Sequence, residues 1–600
     1  MPLDLPTSQP ERSGWFQRFR RRSPKAENNN GDAQTSSGFW PTRKQWNLLP
    51  SVLANWERNV LAIASLLALA SFVTLGVRFI NRHMVPYPRS GGSYTEALVG
   101  QPQFINPILA HASDVDLDLT ELIYRGLFCI DERGQVVGDL ATHSEMSADG
   151  KTYIITLSQN ATWQDGEPIT SSDVLFTFNL IQDPATQSPF LKTFKGMQIE
   201  VVDEHTVKMT LETAYAPFLS TLTVGILPEH VWSDILATNI GLTEYNLQPI
   251  GSGPFQFQSL TKDRLGTIKS YRVERFPNYE GQKSYLNDIT FRFYADGTAA
   301  LDALKRHKVQ GIGTITSDMA SALAKESVTV RALRLPQYTA VFYNLKNNAI
   351  MKDAAVRSAL GQAVDKNALI RDALDGAAES IATPILPGFV GHNPEVKDPA
   401  FDPEAAKKTL DDAGWKLPDG NQVRKKGDRE LSITLTTVDR PDYSKVADAL
   451  KQDWKAIGVA VDIRTFSSSD ILRKAVKPRL YDALLFGEII GNDPDPYPFW
   501  HSSQGIDPGL NLSVYVDKKA DQLLEEARQT SDQEQRRLKY LEFQNILAAD
   551  QPALFLYNPL YFYALPKKMG GFAMDRITVP SDRFDGVEEW YLKTRRQWQW

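Results

Sequence analysis

Cysteine and the common catalytic motifs are scarce in this chain. Cys129 is the single cysteine of the sequence, which excludes an internal disulfide framework and a cysteine-rich zinc site. The eight histidines are scattered, and no two of them stand four residues apart as in a helical zinc site. HExxH, GxSxG and Walker-type glycine motifs are missing. The sequence therefore predicts neither an enzyme nor a protein with a metal or a cofactor.

Neither sign of charge dominates. Lys and Arg number 66 and Asp and Glu number 72, which gives a net charge of −6. A slightly acidic chain has no bulk electrostatic attraction to nucleic acid, so we expect no nucleic-acid partner. Hydrophobic residues make up 42% and charged residues 23%, as in a folded soluble protein. Because 600 residues exceed what one core usually organises, we expect at least two globular units.

One long hydrophobic run stands out. Residues 60–77 (VLAIASLLALASFVTLGV) are eighteen residues without a charge, enough to cross a bilayer core as a helix. Fifty-nine residues precede the run, and RFINR follows it in place of a small-residue cleavage motif. We therefore predict an uncleaved transmembrane signal anchor at 59–80. The polar segment 1–58 before it is predicted to be a disordered tail.

The orientation follows from the basic residues. Within about twenty residues of the run, the numbers of Lys and Arg on the two sides are equal. The wider N-terminal tail adds the basic residues Arg18, Arg20, Arg21, Arg22 and Lys25. This excess predicts that the tail is cytoplasmic and that the large C-terminal part is extracytoplasmic, on a single-pass protein of the cytoplasmic membrane. Pro and Gly in residues 81–92 predict a short linker.

Strand and helix signals are mixed along the C-terminal part. Residues 153–157 and 207–211 alternate as half-buried strands. Helices are predicted from Asp402, from about 442 to 457, and from Asp532 to about 549, followed by a buried strand at 553–557. Such alternation favours an α/β architecture with mixed sheets.

The acidic residues Asp114, Asp116 and Asp118 have the spacing of a calcium loop. The loop's required glycine is Leu119 here, and its twelfth position is Arg125 instead of Glu. We therefore interpret the three as solvent-facing acids that precede a helix.

Several segments follow one another in the order of a known family. They are residues 146–184 (MSADGKTYIITLSQNATWQDGEPITSSDVLFTFNLIQDP), 250–255 (IGSGPF), 274–281 (ERFPNYEG), 343–348 (YNLKNN), 356–370 (VRSALGQAVDKNALI), 453–463 (DWKAIGVAVDI) and 511–521 (NLSVYVDKKAD). Together they resemble the family 5 extracellular solute-binding proteins, the peptide and nickel receptors of ABC importers. The resemblance covers residues 93 to 590.

The resemblance implies a bilobal, periplasmic-binding-protein-like α/β fold of the class II, cluster C type, preceded by the transmembrane helix. The solute-binding domain would be residues 93–590, before a C-terminal tail at 591–600. Its first lobe would be discontinuous, at about 93–345 and 556–590, with an inserted subdomain at about 136–249. The second lobe would be about 346–555. Such lobes close on a ligand about a hinge.

The same resemblance implies a binding and transport function without catalysis. The protein would be a monomer that captures oligopeptides in the cleft between its lobes and delivers them to the permease subunits of an ABC importer. Main-chain pairing with an extended peptide makes such binding tolerant of side-chain sequence. Alternatives are the same fold with a nickel chelate, haem or an oligosaccharide as ligand, a cell-envelope scaffold that does not transport, and an anchored hydrolase whose site forms only in three dimensions.

Five residues are candidate ligand contacts. In the peptide receptors of this family an aspartate in the loop corresponding to 487–503 (GEIIGNDPDPYPFWHSS) binds the amino terminus of the ligand. The candidates here are Asp493 and Asp495, because Glu488 and Gly491 occupy the positions where the family usually has Trp and Asp. The resemblance also implies that Tyr497, Trp500 and Asn344 line the cleft.

Overall fold

The computed structural model describes residues 53–110, 113–131, 134–491 and 493–598, except for the side chain of Asn81. Most of the predicted tail, residues 1–52, lies outside the described residues. Two compact units are present: residues 53–85 with Trp598 form one, and Pro86–Gln597 form the other.

The first unit contains helix α1 (Asn55–His83). Glu57 accepts a hydrogen bond from the backbone N–H of Ala54, and Arg82 and His83 lie in the last turn, where positive charge favours a helix. Its stretch Asn55–Ile80 is 26 residues long and apolar enough to cross a membrane, and none of it is buried. At about 1.5 Å per residue this stretch exceeds the roughly 30 Å of a bilayer core. Length and composition alone fit an anchor and a signal sequence equally.

The second unit is built from many short strands and helices. The strands are β1 Met84–Arg89, β2 Ser93–Val99, β3 Phe128–Ile130, β4 Val136–Gly138, β5 Ala141–Met146, β6 Thr152–Leu157, β7 Gln198–Asp203, β8 Thr206–Thr210, β9 Phe255–Lys262, β10 Ile268–Arg275, β11 Asp288–Tyr294, β12 Gly311–Ile315, β13 Val328–Arg334, β14 Gln337–Tyr343, β15 Ala378–Ser380, β16 Lys425–Lys426, β17 Arg429–Glu430, β18 Ser432–Val438, β19 Ala460–Phe466, β20 Ala483–Ile489, β21 Ala553–Pro566 and β22 Lys593–Trp598. Strands β1 and β22 fall where the sequence predicts a linker and a tail, and Met84 and Val85 of β1 and Trp598 of β22 belong to the first unit.

Helices connect and cover these strands. They are α2 Asp114–Ile123, α3 Ser171–Gln182, α4 Leu191–Phe194, α5 Phe218–Thr221, α6 Glu229–Trp232, α7 Gly297–Lys305, α8 Ser317–Ala322, α9 Ala354–Gln362, α10 Lys366–Ala373, α11 Pro403–Asp412, α12 Pro441–Ala456, α13 Ser468–Ile471, α14 Tyr497–Trp500, α15 Lys518–Gln529 and α16 Gln533–Asp550. Helix α11 begins as predicted, with the Asp402 side chain accepting from Ala405 N–H and Pro403 at the first position. Helices α12 and α16 and the mixed parallel and antiparallel sheets also confirm the predictions.

A large sheet of twelve strands organises the unit. Its order is β19-β18-β20-β14-β21-β12-β2-β11-β10-β9, and β13 and β15 also pair with β21. The fourteen residues of β21 run through both halves of the sheet, because the strand pairs first with β14 and β15 and then with β12 and β13. A separate sheet in the order β5-β6-β8-β7, called the small sheet below, lies within the predicted inserted subdomain.

Four separate hydrophobic clusters cover the two halves of the large sheet, and the two clusters on each half are taken together below as one core. The first core takes its buried side chains from residues 94–333 and 561–590. The second core takes them from residues 338–557. Strand β14 therefore packs with the second core, although the predicted lobe boundary follows it at 345.

Two chain segments cross from one core to the other, at 334–337 and 558–560. Asn558 ties them together, because its buried side-chain amide donates to the backbone carbonyls of Leu335 and Gln337 at 2.7 and 2.6 Å. The two crossing segments are therefore fixed to each other by one buried side-chain amide.

The acidic residues at the start of α2 correct the sequence interpretation, because two of the three are buried. Asp116 accepts a hydrogen bond from Gln103 N–H. Asp118 pairs with Arg583 at 2.5 Å, and the same guanidinium reaches Glu96 at 2.7 Å. A buried carboxylate at this spacing is indistinguishable from an exposed one in the sequence, because its partner lies 465 positions away.

The Asp118 carboxyl makes the stability of the first core depend on pH. Burial raises its pKa from 3.8 to about 6, against the opposing effect of Arg583. The folded state therefore holds this proton more tightly than the unfolded chain, and the stability it contributes is present below about pH 4 and lost as the pH rises through 6. We expect this loss of stability to lower the melting temperature as the pH rises from 4 to 7, and we expect Asp118→Asn to remove this contribution to the pH dependence. Superimposable pH profiles of the two proteins would contradict the assignment.

Candidate functional site

The loop at 487–503 begins with the last residues of β20 and contains α14, and its two aspartates are held by arginines of the last two helices. Asp493 accepts two parallel hydrogen bonds from Arg536 of α16, one of them 2.6 Å from Nη1 to Oδ2. Arg536 also donates to the hydroxyl of Tyr540, and both Arg536 and Tyr540 are buried. A bidentate guanidinium–carboxylate pair is among the stronger polar contacts in proteins. The charge of Asp493 is therefore already neutralised by the chain itself.

Asp495 forms a second ion pair. Its Oδ2 lies 3.0 Å from Nε of Arg528 on α15, and its Oδ1 accepts from the backbone N–H of Tyr497. The residue is 7% exposed, and this burial raises the pKa of its carboxyl, with Arg528 acting in the opposite direction. The role of either aspartate in binding an amino group stays a prediction, and in this structure it requires displacement of an arginine.

Tyr497 lies beside the same arginine. Its ring stacks on His501 with 4.2 Å between ring centroids, and the Arg528 guanidinium carbon lies 4.5 Å from the Tyr497 centroid. The structure thus brings Asp493, Asp495 and Tyr497 together around α15 and α16.

Trp500 and Asn344 lie elsewhere, inside the second core. Trp500 is 1% exposed and packs on Phe342 and Phe555. Asn344 is fully buried, and its side chain bonds four backbone groups, the carbonyls of Arg479 and Tyr481 and the N–H groups of Lys346 and Asn347. Both positions fit a structural role, so their predicted contact with a ligand would need the core to open.

Glu488, at the position where the family usually has Trp, points into the same core. It accepts a hydrogen bond from the hydroxyl of Tyr338, its direct partner on β14. Burial raises the pKa of Glu488 well above its ordinary value, against the effect of that hydrogen bond. Burial in this core therefore opposes ionisation of the Glu488 carboxyl.

The segment after the small sheet contacts the second core through Arg528. The Ala216 N–H donates to the Arg528 carbonyl at 3.1 Å, and the Arg528 guanidinium carbon lies 5.4 Å from the Tyr215 ring centroid. Arg528 thus stands between two aromatic rings, those of Tyr215 and Tyr497, and beside Asp495. We call these four residues the Arg528 cluster. Burial, together with the nearby Asp495 and Asp493, raises the pKa of Tyr215 to about 12.

A cavity of about 750 Å³ opens next to the Arg528 cluster. One wall comes from residues 192–221, around α4 and α5, and the other from Tyr497 and the end of α15. The charged side chains on its lining are Lys192, Lys195, Glu212, Glu525 and Arg528. Its volume lies in the range of ligand pockets, and its walls come from two separately packed parts of the chain. Among the described residues, no group of three or more His, Cys, Asp or Glu is placed to hold a metal ion.

Comparison with known proteins identifies the family of this chain. The sequence profile described as bacterial extracellular solute-binding proteins, family 5 Middle, matches residues 135–511. The chain belongs to this family.

Individual family 5 proteins are similar over most of their length. The oligopeptide-binding protein AppA of Bacillus subtilis is 26% identical over 521 residues, covering 84% of this chain and 92% of AppA. The structure of AppA in complex with a nonapeptide superposes with a TM-score of 0.63 at 25% identity, covering 84% of this chain and all of that one. NikZ of Campylobacter jejuni in complex with Ni(L-His) gives a TM-score of 0.63 at 26% identity, covering 83% and 99%. The resemblance inferred from the sequence is confirmed, and with it the bilobal α/β architecture of the family.

Sequence reasoning missed Arg528, Arg536 and Tyr215. Arg528 reads as a cation in the last turn of an amphipathic helix, which normally only complements the helix dipole. Nothing local shows that Tyr215, more than 300 positions away, faces it. The available signal was the pair of candidate aspartates in the loop. No Lys or Arg stands near them in the sequence, and a buried carboxylate requires a partner, so a cation from a distant segment could have been expected.

Proposed function

We propose that this family 5 protein is anchored by α1 at the outer face of the cytoplasmic membrane, captures oligopeptides between two lobes, and delivers them to an ABC import permease. Residues 93–334 with 561–590 would form the first, discontinuous lobe of a class II, cluster C fold, with the small sheet as its inserted subdomain. Residues 338–557 would form the second lobe. The observation that carries the proposal is the pair of separate cores joined by the crossing segments that Asn558 ties together.

The peptide as ligand is supported by the relatives. AppA is an oligopeptide-binding protein whose structure contains a nonapeptide, and a second relative, 26% identical, is the dipeptide-binding protein of Escherichia coli. The cavity beside the Arg528 cluster would be one end of the cleft. An extended peptide would be held there by main-chain hydrogen bonds, which makes capture tolerant of sequence.

Native mass spectrometry of the full chain in nanodiscs tests the proposal. We expect peptides to remain bound after incubation with an equimolar pool of alanine–glycine peptides of two to nine residues, and the bound masses to report ligand length. Absence of any bound peptide, together with no rise in melting temperature, would overturn it.

The orientation has its own test. A Ser93→Cys variant on a Cys129→Ser background should react with a membrane-impermeant maleimide in intact cells. Labelling that appears only after lysis would place the solute-binding domain in the cytoplasm.

A nickel chelate is the second candidate ligand, because NikZ binds Ni(L-His) and superposes over 83% of this chain. In such a complex the metal is cargo, and histidine supplies ligands that the protein does not need to provide. Calorimetric titration with nickel and L-histidine distinguishes the two candidates. Heat with Ni(L-His) and none with the peptide pool would favour the chelate.

A further inference from the structure

The two ends of the second unit meet in a ribbon of two strands, β1 and β22, which pair with each other and with no other strand among the described residues. Every residue of β22 is exposed, and four of the six residues of β1 are exposed as well. The ribbon supplies no buried side chain to either core. Two strands without a core are only marginally stable in water, which points to support from outside the protein.

The last described residue of β22, Trp598, contacts α1 within the first unit. Its ring centroid lies 6.1 Å from that of Phe79, which stands one residue before the end of the apolar stretch at Ile80. Trp598 is 43% exposed and Phe79 is 55% exposed. Amphipathic aromatic rings such as that of Trp collect at the boundary between the hydrocarbon core of a bilayer and its headgroups. With α1 in a bilayer, Trp598 would stand at that boundary.

The side chains that follow this boundary along the chain carry charge of one sign. Residues 78–92 and 591–600 contain no Asp or Glu, and their basic residues are Arg78, Arg82, Arg89, Lys593, Arg595 and Arg596. The whole chain has a net charge of −6, so this concentration of cations is local. Guanidinium and ammonium groups donate hydrogen bonds to phosphate oxygens. The ribbon therefore combines the two residue types that a layer of anionic phospholipid headgroups attracts, exposed cations and an exposed Trp.

We propose that the ribbon is a second membrane contact of this protein, in which Lys593, Arg595 and Arg596 bind the phosphate groups of anionic phospholipids beside Trp598. The inference rests on one part of the proposed function, the insertion of α1 in a bilayer, and it is independent of the ligand. The solute-binding unit would then be tied to the membrane at both ends, by β1 through the covalent chain and by β22 through lipid headgroups.

The immersion of β22 can be measured with a nitroxide at Gln597→Cys in the full chain, on a Cys129→Ser background. Power-saturation electron paramagnetic resonance reports collisions of the nitroxide with a water-soluble Ni(II) complex, in nanodiscs of phosphatidylcholine alone and with one quarter phosphatidylglycerol. We expect about fivefold fewer collisions in the anionic nanodiscs, the factor that a single cation at an anionic surface supplies. A nitroxide at Leu265→Cys, where the native residue is 91% exposed on the turn between β9 and β10, should show no difference.

Charge variants of the labelled protein assign the effect to the ribbon. The triple variant Lys593→Gln, Arg595→Gln, Arg596→Gln should collide equally in the two kinds of nanodisc. Its matched control is Lys305→Gln, Lys308→Gln, Lys325→Gln, which removes three exposed cations of the same unit and so changes the net charge equally. This control should keep the fivefold difference. Equal melting temperatures of the two triple variants would show that both are folded.

Two kinds of failure can be told apart. A chain that is retained in nanodiscs, with Gln597 colliding equally in both lipid compositions, overturns the inference and leaves the anchoring by α1 standing. Loss of the difference in the control variant as well would also overturn it, because net charge and not the ribbon would then be responsible. A chain that is not retained in nanodiscs refutes the proposed anchoring and this inference with it.

Discussion

Replacement of Arg583 by Met should lower the free energy of unfolding by about 3–5 kcal/mol at pH 7, the usual cost of removing one partner from a buried charge cluster. Arg583 is 0% exposed, and its guanidinium bonds both Asp118 and Glu96. The hydroxyls of Tyr94 and Tyr563 donate to the same Glu96. Without the arginine, two carboxylates would remain buried side by side, and the chain must either take up a proton or expose them.

Guanidinium denaturation followed by tryptophan fluorescence measures this effect. Arg306→Met is the matched control, because Arg306 is exposed and its i, i+4 pair with Asp302 is of a kind worth only a few tenths of a kcal/mol. The Arg583→Met variant should also lose more stability at pH 8 than at pH 5, since protonation of Asp118 at the lower pH removes the charge that is left without its guanidinium partner. Equal stability of the two variants would show that the cluster is not coupled to folding.

Arg528→Met should weaken peptide binding roughly tenfold. The guanidinium stands between the rings of Tyr215 and Tyr497 and beside Asp495, so it joins the segment after the small sheet to the loop at 487–503. Cation–π contacts and one partly exposed ion pair together contribute about 1–2 kcal/mol. If these contacts form in the closed state and not in the open one, their loss destabilises the closed state by this free energy. A ligand that binds the closed state must then provide the same free energy from its own binding, so its affinity falls.

Calorimetry measures the affinity, and small-angle scattering with and without peptide measures closure. Arg537→Met on α16 is the control, since Arg537 is exposed and pairs with Glu534 away from the cavity. The opposite result is informative: tighter binding of free-amine peptides by Arg528→Met would mean that Asp495, once released, anchors the ammonium as the family resemblance implies.

Much of the local structure was readable from the sequence because its causes are local. The eighteen uncharged residues at 60–77 required a long apolar helix, and α1 includes them all. Asp402 with Pro403 predicted the start of α11, since a cap and a fixed φ act within one helical turn. The long amphipathic α16 and the buried strand after it followed from periodicity, although β21 continues nine residues beyond the predicted end at 557.

The candidate site was only partly predictable. The order of the family segments pointed to the loop at 487–503, which holds four of the five candidate residues, and three of these four lie together around α15 and α16. Whether Trp500 and Asn344 line a cleft or pack internally could not be decided from the sequence, because burial depends on which elements pack above them. The buried Asp116 and Asp118 were misread for the same reason.

The sequence by itself determined the apolar helix, the α/β composition and the family, since each depends on residues close together in the chain or on their linear order. The tertiary structure alone decided which charges are free. Asp493 meets Arg536 across 43 positions and Asp118 meets Arg583 across 465. Whether a carboxylate is available to a ligand or already neutralised depends on such distant partners, because an ion pair acts through a few ångströms of space and is indifferent to separation along the chain.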